Sequence, residues 1–223
     1  KIYAETKESR VKMAILPALQ RLNYAKMESV IKSGMEDADE QVRTVALGLL
    51  NNSNVSKESL PSIVNTIFAK GGIREQQQML VVLGKLDTEK TASILGNLIG
   101  QMSDNKLSPD LNLELKEAVE ASGSAALKAQ WASAAPNYSL TDEYSEALFG
   151  GNPDAGEHLF TYNPTAQCMR CHALGIDGGT VGPPLTHIGS VLSREEILQA
   201  LVEPSARLAP GYGNVSLKLK DGQ

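Results

Sequence analysis

The chain has 223 residues, with 21 Lys and Arg against 26 Asp and Glu, for a formal net charge of −5. That length suits one large or two modest domains, and the acidic balance argues against a general nucleic-acid binder, which carries a basic excess. No apolar run reaches the roughly 18 residues that a membrane-spanning helix needs, so no transmembrane segment is expected.

Composition changes partway along. Residues 1–149 hold eight of the 19 glycines, while the last 74 residues hold 11. Six of the ten prolines fall after Gly150, and seven of the ten aromatic residues fall from Trp131 onward. Two domains are expected: residues 1–134, a linker over 135–149 containing Ala135-Pro136-Asn137-Tyr138-Ser139, and residues 150–223.

Residues 1–134 read as helix after helix. Apolar residues recur at three and four: Val11, Ile15, Leu19, Leu22; Val42, Val45, Ala46, Leu49; Met79, Leu80, Leu83, Leu86. Gly34, Asn51-Asn52-Ser53-Asn54, Gly71-Gly72 and Ser103-Asp104-Asn105 are expected to break the pattern. The acidic run Asp37-Ala38-Asp39-Glu40 suits the positive end of a helix, and Pro109 suits a first helical turn. Apolar helices begin near Arg10, Gln41, Gly72 and Leu111, at separations of 31, 31 and 39 residues. This spacing predicts a mainly α chain that opens with helical-hairpin repeats of the HEAT or armadillo type. An irregular helical bundle is the alternative. The region has no histidine and no cysteine, and no catalytic constellation. Met13, Met27, Met35, Met79 and Met102 sit where packing accounts for them.

The second part opens with a helix over Asp154-Ala155-Gly156-Glu157-His158-Leu159-Phe160, with Asp154 as the expected cap. Gly156 and Phe160 share a face, which suits a close helix crossing. Cys168-Met169-Arg170-Cys171-His172 follows and contains the only two cysteines of the chain. Its C-x-x-C-H spacing is that of c-type haem attachment. Cysteines three apart lie on one face of a helical turn, so both thiols can add to the vinyl groups along one porphyrin edge. The next residue, His172, is then set to ligate iron. A redox dithiol, a disulfide or half a zinc site are the competing readings. A zinc site would have to draw its remaining Cys or His ligands from His158 and His187. A thioredoxin-like dithiol would follow a βαβ alternation that does not precede the motif.

The residues after the motif favour haem. The loop from Gly175 to Gly189 is rich in glycine and proline and can run flat along a porphyrin. A proline carbonyl within it can accept a hydrogen bond from the free nitrogen of His172, and Leu185 and Ile188 can cover the ring. Ser193-Arg194-Glu195-Glu196 is a capping box, with Ile197, Leu198 and Leu201 as an apolar face behind it. Pro204 ends that helix. Val215-Ser216-Leu217-Lys218-Leu219-Lys220 alternates as a strand, and Asp221-Gly222 signals a hairpin turn. The returning strand is missing, so the domain is expected to be incomplete at its C-terminal end.

With Gly156, Phe160, the CMRCH motif, the stretch Val181-Gly182-Pro183-Pro184-Leu185-Thr186-His187-Ile188-Gly189, Glu203-Pro204-Ser205, Pro210-Gly211-Tyr212 and Lys220-Asp221-Gly222, residues 150–223 resemble a known family. It is the haem-binding cytochrome c domain family that follows HEAT-like repeats in large secreted oxidoreductases, often behind a sugar-dehydrogenase-like β-propeller. The resemblance implies covalent haem c on Cys168 and Cys171, His172 as the axial ligand to iron, and Pro183 as the carbonyl that steadies it. It also implies a distal methionine further along, which this sequence lacks. The expected role is electron transfer between a redox partner protein, or an adjoining dehydrogenase domain, and an acceptor. A haem-based small-ligand sensor and a protein-interaction scaffold are the alternatives, and none of the three makes the chain an enzyme by itself. Because c-type haem is attached outside the cytoplasm, a periplasmic or other extracytoplasmic location is expected. The chain opens on Lys1-Ile2-Tyr3 without a secretory leader, so it is expected to be a processed form or part of something longer.

Overall fold

The computed structural model describes residues 2–53, 55–134 and 144–213. Among them the chain is mainly helical, with one two-stranded sheet. It divides into two compact units, Lys1–Pro136 with Phe149–Gly151, and Asn137–Leu148 with Asn152–Gln223.

The first unit holds α1 (Ile2–Glu5), α2 (Ser9–Arg21), α3 (Met27–Met35), α4 (Glu40–Gly48), α5 (Leu60–Lys70), α6 (Ile73–Lys85), α7 (Thr88–Ser103), α8 (Asn112–Ala121) and α9 (Ala125–Ala134). Helices α2, α4, α6 and α8 start within one residue of the four beginnings expected from the sequence. They touch in succession, α2 on α4, α4 on α6 and α6 on α8. On the other side α3 touches α5 and α7 touches α9. Each helix thus buries its apolar stripe against the next member of its row and against its sequence neighbour. A continuous core results, in which Leu16, Leu47, Ile63, Leu80, Leu95 and Leu115 are wholly buried.

Polar groups tie neighbours within a row. Arg43 on α4 donates from Nε and Nη2 to both carboxylate oxygens of Glu75 on α6, at 2.7 and 2.8 Å. Glu75 also accepts the Gly72 N–H at 3.0 Å, which caps α6. Burial pushes the Glu75 carboxyl up, but Arg43 and the Gly72 N–H outweigh it and hold the group below the ordinary glutamate range.

Two expectations are corrected here. Val11 and Leu22 are exposed, and Leu16 carries the buried face of α2 instead. Leu22 follows the end of the helix and so leaves the stripe. Gly34 does not break a helix. It lies inside α3, where an added Cβ would come within 2.7 Å of Ala46 Cβ, so it permits the close approach of α3 and α4.

The second unit holds α10 (Pro153–Tyr162), α11 (Cys168–Cys171), β1 (Ala173–Leu174), β2 (Asp177–Gly178) and α12 (Arg194–Val202). The strands pair antiparallel, Ala173 opposite Gly178. Of the expected linker, Ser145–Leu148 form a 3-10 turn, and 135–143 lie outside the described residues. So do the expected strand over 215–220 and its turn. Asn152, not Asp154, caps α10: its Oδ1 accepts the N–H groups of Asp154 and Ala155 at 3.0 and 3.1 Å. Pro153 at the first helical position sets the cap two residues earlier than expected from Asp154 alone. Among the described residues, no helix is long and apolar enough to cross a membrane.

Candidate functional site: the CMRCH turn and its cavity

α11 is a single turn made of Cys168-Met169-Arg170-Cys171. Gln167 enters it with a left-handed φ of 48°, and His172 leaves it in extended backbone at φ −107°. The chain therefore turns away at His172, directly after the second cysteine. Cys168 is half-buried and Cys171 exposed, and the two thiols are not bonded to each other.

The glycine-rich loop is laced onto this turn by its backbone. Gly179 N–H donates to Met169 O at 2.8 Å, Gly182 N–H to Cys171 O at 2.7 Å, and Leu185 N–H to Ala173 O at 2.9 Å. Gly175 N–H donates to Thr186 Oγ1 at 2.8 Å. Three glycines are demanded by these approaches, and a Cβ on Gly179 would lie 2.1 Å from Arg170 O. Gly178 adopts φ +108°, and a Cβ there would lie 2.3 Å from His172 O. A Cβ on Gly182 would fall 2.8 Å from Cε1 and 2.9 Å from Nδ1 of the His172 ring.

That packing fixes the imidazole. His172 Nδ1 lies 2.8 Å from the Pro183 carbonyl oxygen. A carbonyl only accepts, so Nδ1 carries the proton. In the neutral ring the lone pair is then on Nε2, the atom left to bind a metal.

The ring lines a largely apolar cavity of about 340 Å³, walled also by Leu185, Ile188, Leu192, Ile197 and Leu201. Apolar side chains around it are left uncovered: Val191 is 71% and Leu201 76% exposed. None of α10, α11 and α12 has a buried residue. The unit carries an apolar hollow with an oriented imidazole at its wall, and this is a fit for a flat, hydrophobic, metal-bearing group. The structure thus brings Cys168, Cys171, His172, Pro183 and Leu185 into one neighbourhood.

Other residues stand apart. His187 is exposed at the head of the 3-10 turn Ile188–Ser190 and is not part of the cavity wall. His158 packs its ring on Tyr162, with centroids 5.1 Å apart, on the exposed face of α10. Gly156 meets no other group within 4 Å, so the close crossing expected there is not made among the described residues. Among those residues, no three His, Cys, Asp or Glu side chains are grouped to hold a metal ion.

The sequence reading missed part of the rim. Glu196 caps α12 reciprocally with Ser193: its N–H donates to Ser193 Oγ at 3.2 Å, and Ser193 N–H to its Oε2 at 2.9 Å. Its other oxygen accepts from Arg207. The Ser193 N–H first, and Arg207 second, hold the Glu196 carboxyl below the ordinary glutamate range. The capping box was legible, but Arg207 and Leu208 reach the cavity only because the chain folds back after α12, and no local pattern marks that return. No family model, curated protein or solved structure matches this chain.

Proposed function

We propose that the second unit is a c-type haem electron-transfer module and that the helical array before it is a stack of HEAT-like repeats. The observation that carries the haem reading is the hydrogen bond that orients His172. A C-x-x-C turn built for a dithiol or a zinc ion has no use for a histidine held by a proline carbonyl beside an apolar hollow. The two-row succession of helices supports the repeat reading.

Cys168 and Cys171 would hold the haem through thioether links, and His172 Nε2 would ligate its iron. Pro183 fixes the ring and raises its basicity, while Leu185 and Ile188 exclude water from the face of the group. Haem c held in this way supplies a one-electron Fe(II)/Fe(III) couple. The rest of the chain sets its potential through burial and local charge. The electron donor is a redox partner or an adjoining dehydrogenase domain, and the compartment is periplasmic or otherwise extracytoplasmic.

One observation favours a second reading, a haem-based small-ligand binder. Around the cavity, the described residues offer no imidazole besides His172 and no thioether. Carbon monoxide separates the two readings. An unchanged ferrous spectrum supports electron transfer, and a large shift supports ligand binding.

The haem reading itself is tested by intact mass after production with extracytoplasmic haem maturation. The expected mass exceeds the polypeptide by one haem. A bare chain with free or zinc-bound thiols would rule it out.

A further inference from the structure

The cavity wall is apolar except at three titratable residues, His172, Glu196 and Arg207. His172 is committed to the metal. Glu196 and Arg207 form an ion pair, and Arg207 makes no other hydrogen bond among the described residues. Most of its guanidinium donors are therefore available. The Ser193 N–H pins Glu196 to the start of α12, and Glu196 in turn holds the Arg207 head at the rim of the cavity.

Positive charge is scarce among the described residues of this unit. Residues 144–213 contain no lysine and three arginines. Arg170 is turned to Gln167 within the motif turn, and Arg194 donates to Leu148 O at 2.8 Å. Of the three, only Arg207 lines the cavity.

This inference rests on the haem reading. The cysteines fix the vinyl edge of the porphyrin, which leaves the two propionates at the other edge. A carboxylate entering an apolar wall is costly unless paired, and Glu196 adds repulsion of like sign. A guanidinium fork can serve two carboxylates together. We propose that Arg207 anchors a haem propionate, bridging it to Glu196 and keeping it ionised. Arg207 acts as a positioning residue that sets the charge beside the haem.

The test is the midpoint potential of the holoprotein measured from pH 5 to 9. With Arg207 present the propionate stays ionised across that range, and the profile has no propionate step. In R207Q the propionate titrates within it. Its negative charge favours Fe(III), so the potential falls as pH rises through the new step. R207K restores the wild-type profile. The step persists in R207Q/E196Q, which has no Glu196 carboxyl to titrate. A haem-loaded R207Q with the wild-type profile would overturn the proposal, as would a step that vanishes in the double variant. A wild-type chain without haem by mass removes the haem reading and this inference together. Because the haem is covalent, R207Q retains it and remains measurable.

Discussion

The two units solve the burial problem in opposite ways. In the first, each helix covers its neighbour, and leucines and isoleucines from α2 to α8 are wholly buried. In the second, α10, α11 and α12 bury nothing completely, and Leu159, Tyr162, Val191 and Leu201 are more than half exposed. The described residues of the second unit bury so little apolar surface that they gain too little to offset chain entropy. On the proposed haem reading, the first unit stands by itself and the cofactor supplies the core that the second lacks.

The strongest way to break this comparison is to remove the cofactor's attachment. In C168A/C171A the second unit is expected to lose fixed tertiary structure, while the first keeps its cooperative helical melt. Hydrogen exchange resolved along the chain reads both at once. Equal protection of residues 152–213 in wild type and variant would sink the idea that haem is the core.

The next effect belongs to the first unit alone. R43A leaves the buried Glu75 carboxylate without its bidentate partner, and removing one member of such a pair costs about 3 kcal/mol. Its melting transition should move down, with the haem spectrum untouched. A spectral change in R43A would mean that the units are energetically coupled and the comparison too sharp.

A smaller effect sharpens the same contrast through pH. Glu114 is buried, with Oε1 accepting the Gly151 N–H at 2.9 Å and no partner for Oε2 among the described residues. Burial, with Glu117 and Asp110 adding to it, pushes its carboxyl above the ordinary glutamate range. The folded state therefore binds the proton more tightly than the unfolded chain. The Glu114 contribution is full below the unfolded value and is lost as pH rises through the folded one. E114Q should flatten the part of the stability profile that lies above the ordinary glutamate range, in melts compared against wild type. A parallel pair of profiles would show that Glu114 does not titrate there.

The units also differ in how legibly the sequence specified them. Helix existence and the four row-starting positions could be read because a stacked array repeats one burial problem, and periodicity records it. The exact stripe on α2 could not, since Met13-Ala14-Ile15-Leu16 offers more than one apolar face and tertiary packing chooses Leu16. Gly34 misled because a glycine that permits close helix packing looks locally like one that ends a helix. In the second unit the motif was explicit, and the family resemblance, more than any spacing, pointed to Pro183. β1 and β2 are too short to show alternation. Arg207 was invisible because its place depends on a chain reversal after α12.

The smallest expected effect is none at all, and it concerns His187. As one of two histidines outside the motif it is a tempting sixth ligand, and bis-histidine haems exist. Yet the loop that carries it is bound to the motif turn through Gly179, Gly182 and Leu185, and Pro183 holds that loop on the side of His172. Only 14 residues separate His187 from His172. Its side chain is exposed and outside the cavity wall, so reaching the opposite face of the ring would require the loop to detach and round the porphyrin edge. Those backbone bonds are each worth about 1 kcal/mol net, and the glycine contacts would be lost with them. H187A should therefore leave the ferric and ferrous spectra unchanged. Loss of a low-spin signal in H187A would show that the loop does detach, and that haem reshapes the second unit rather than filling a hollow already formed.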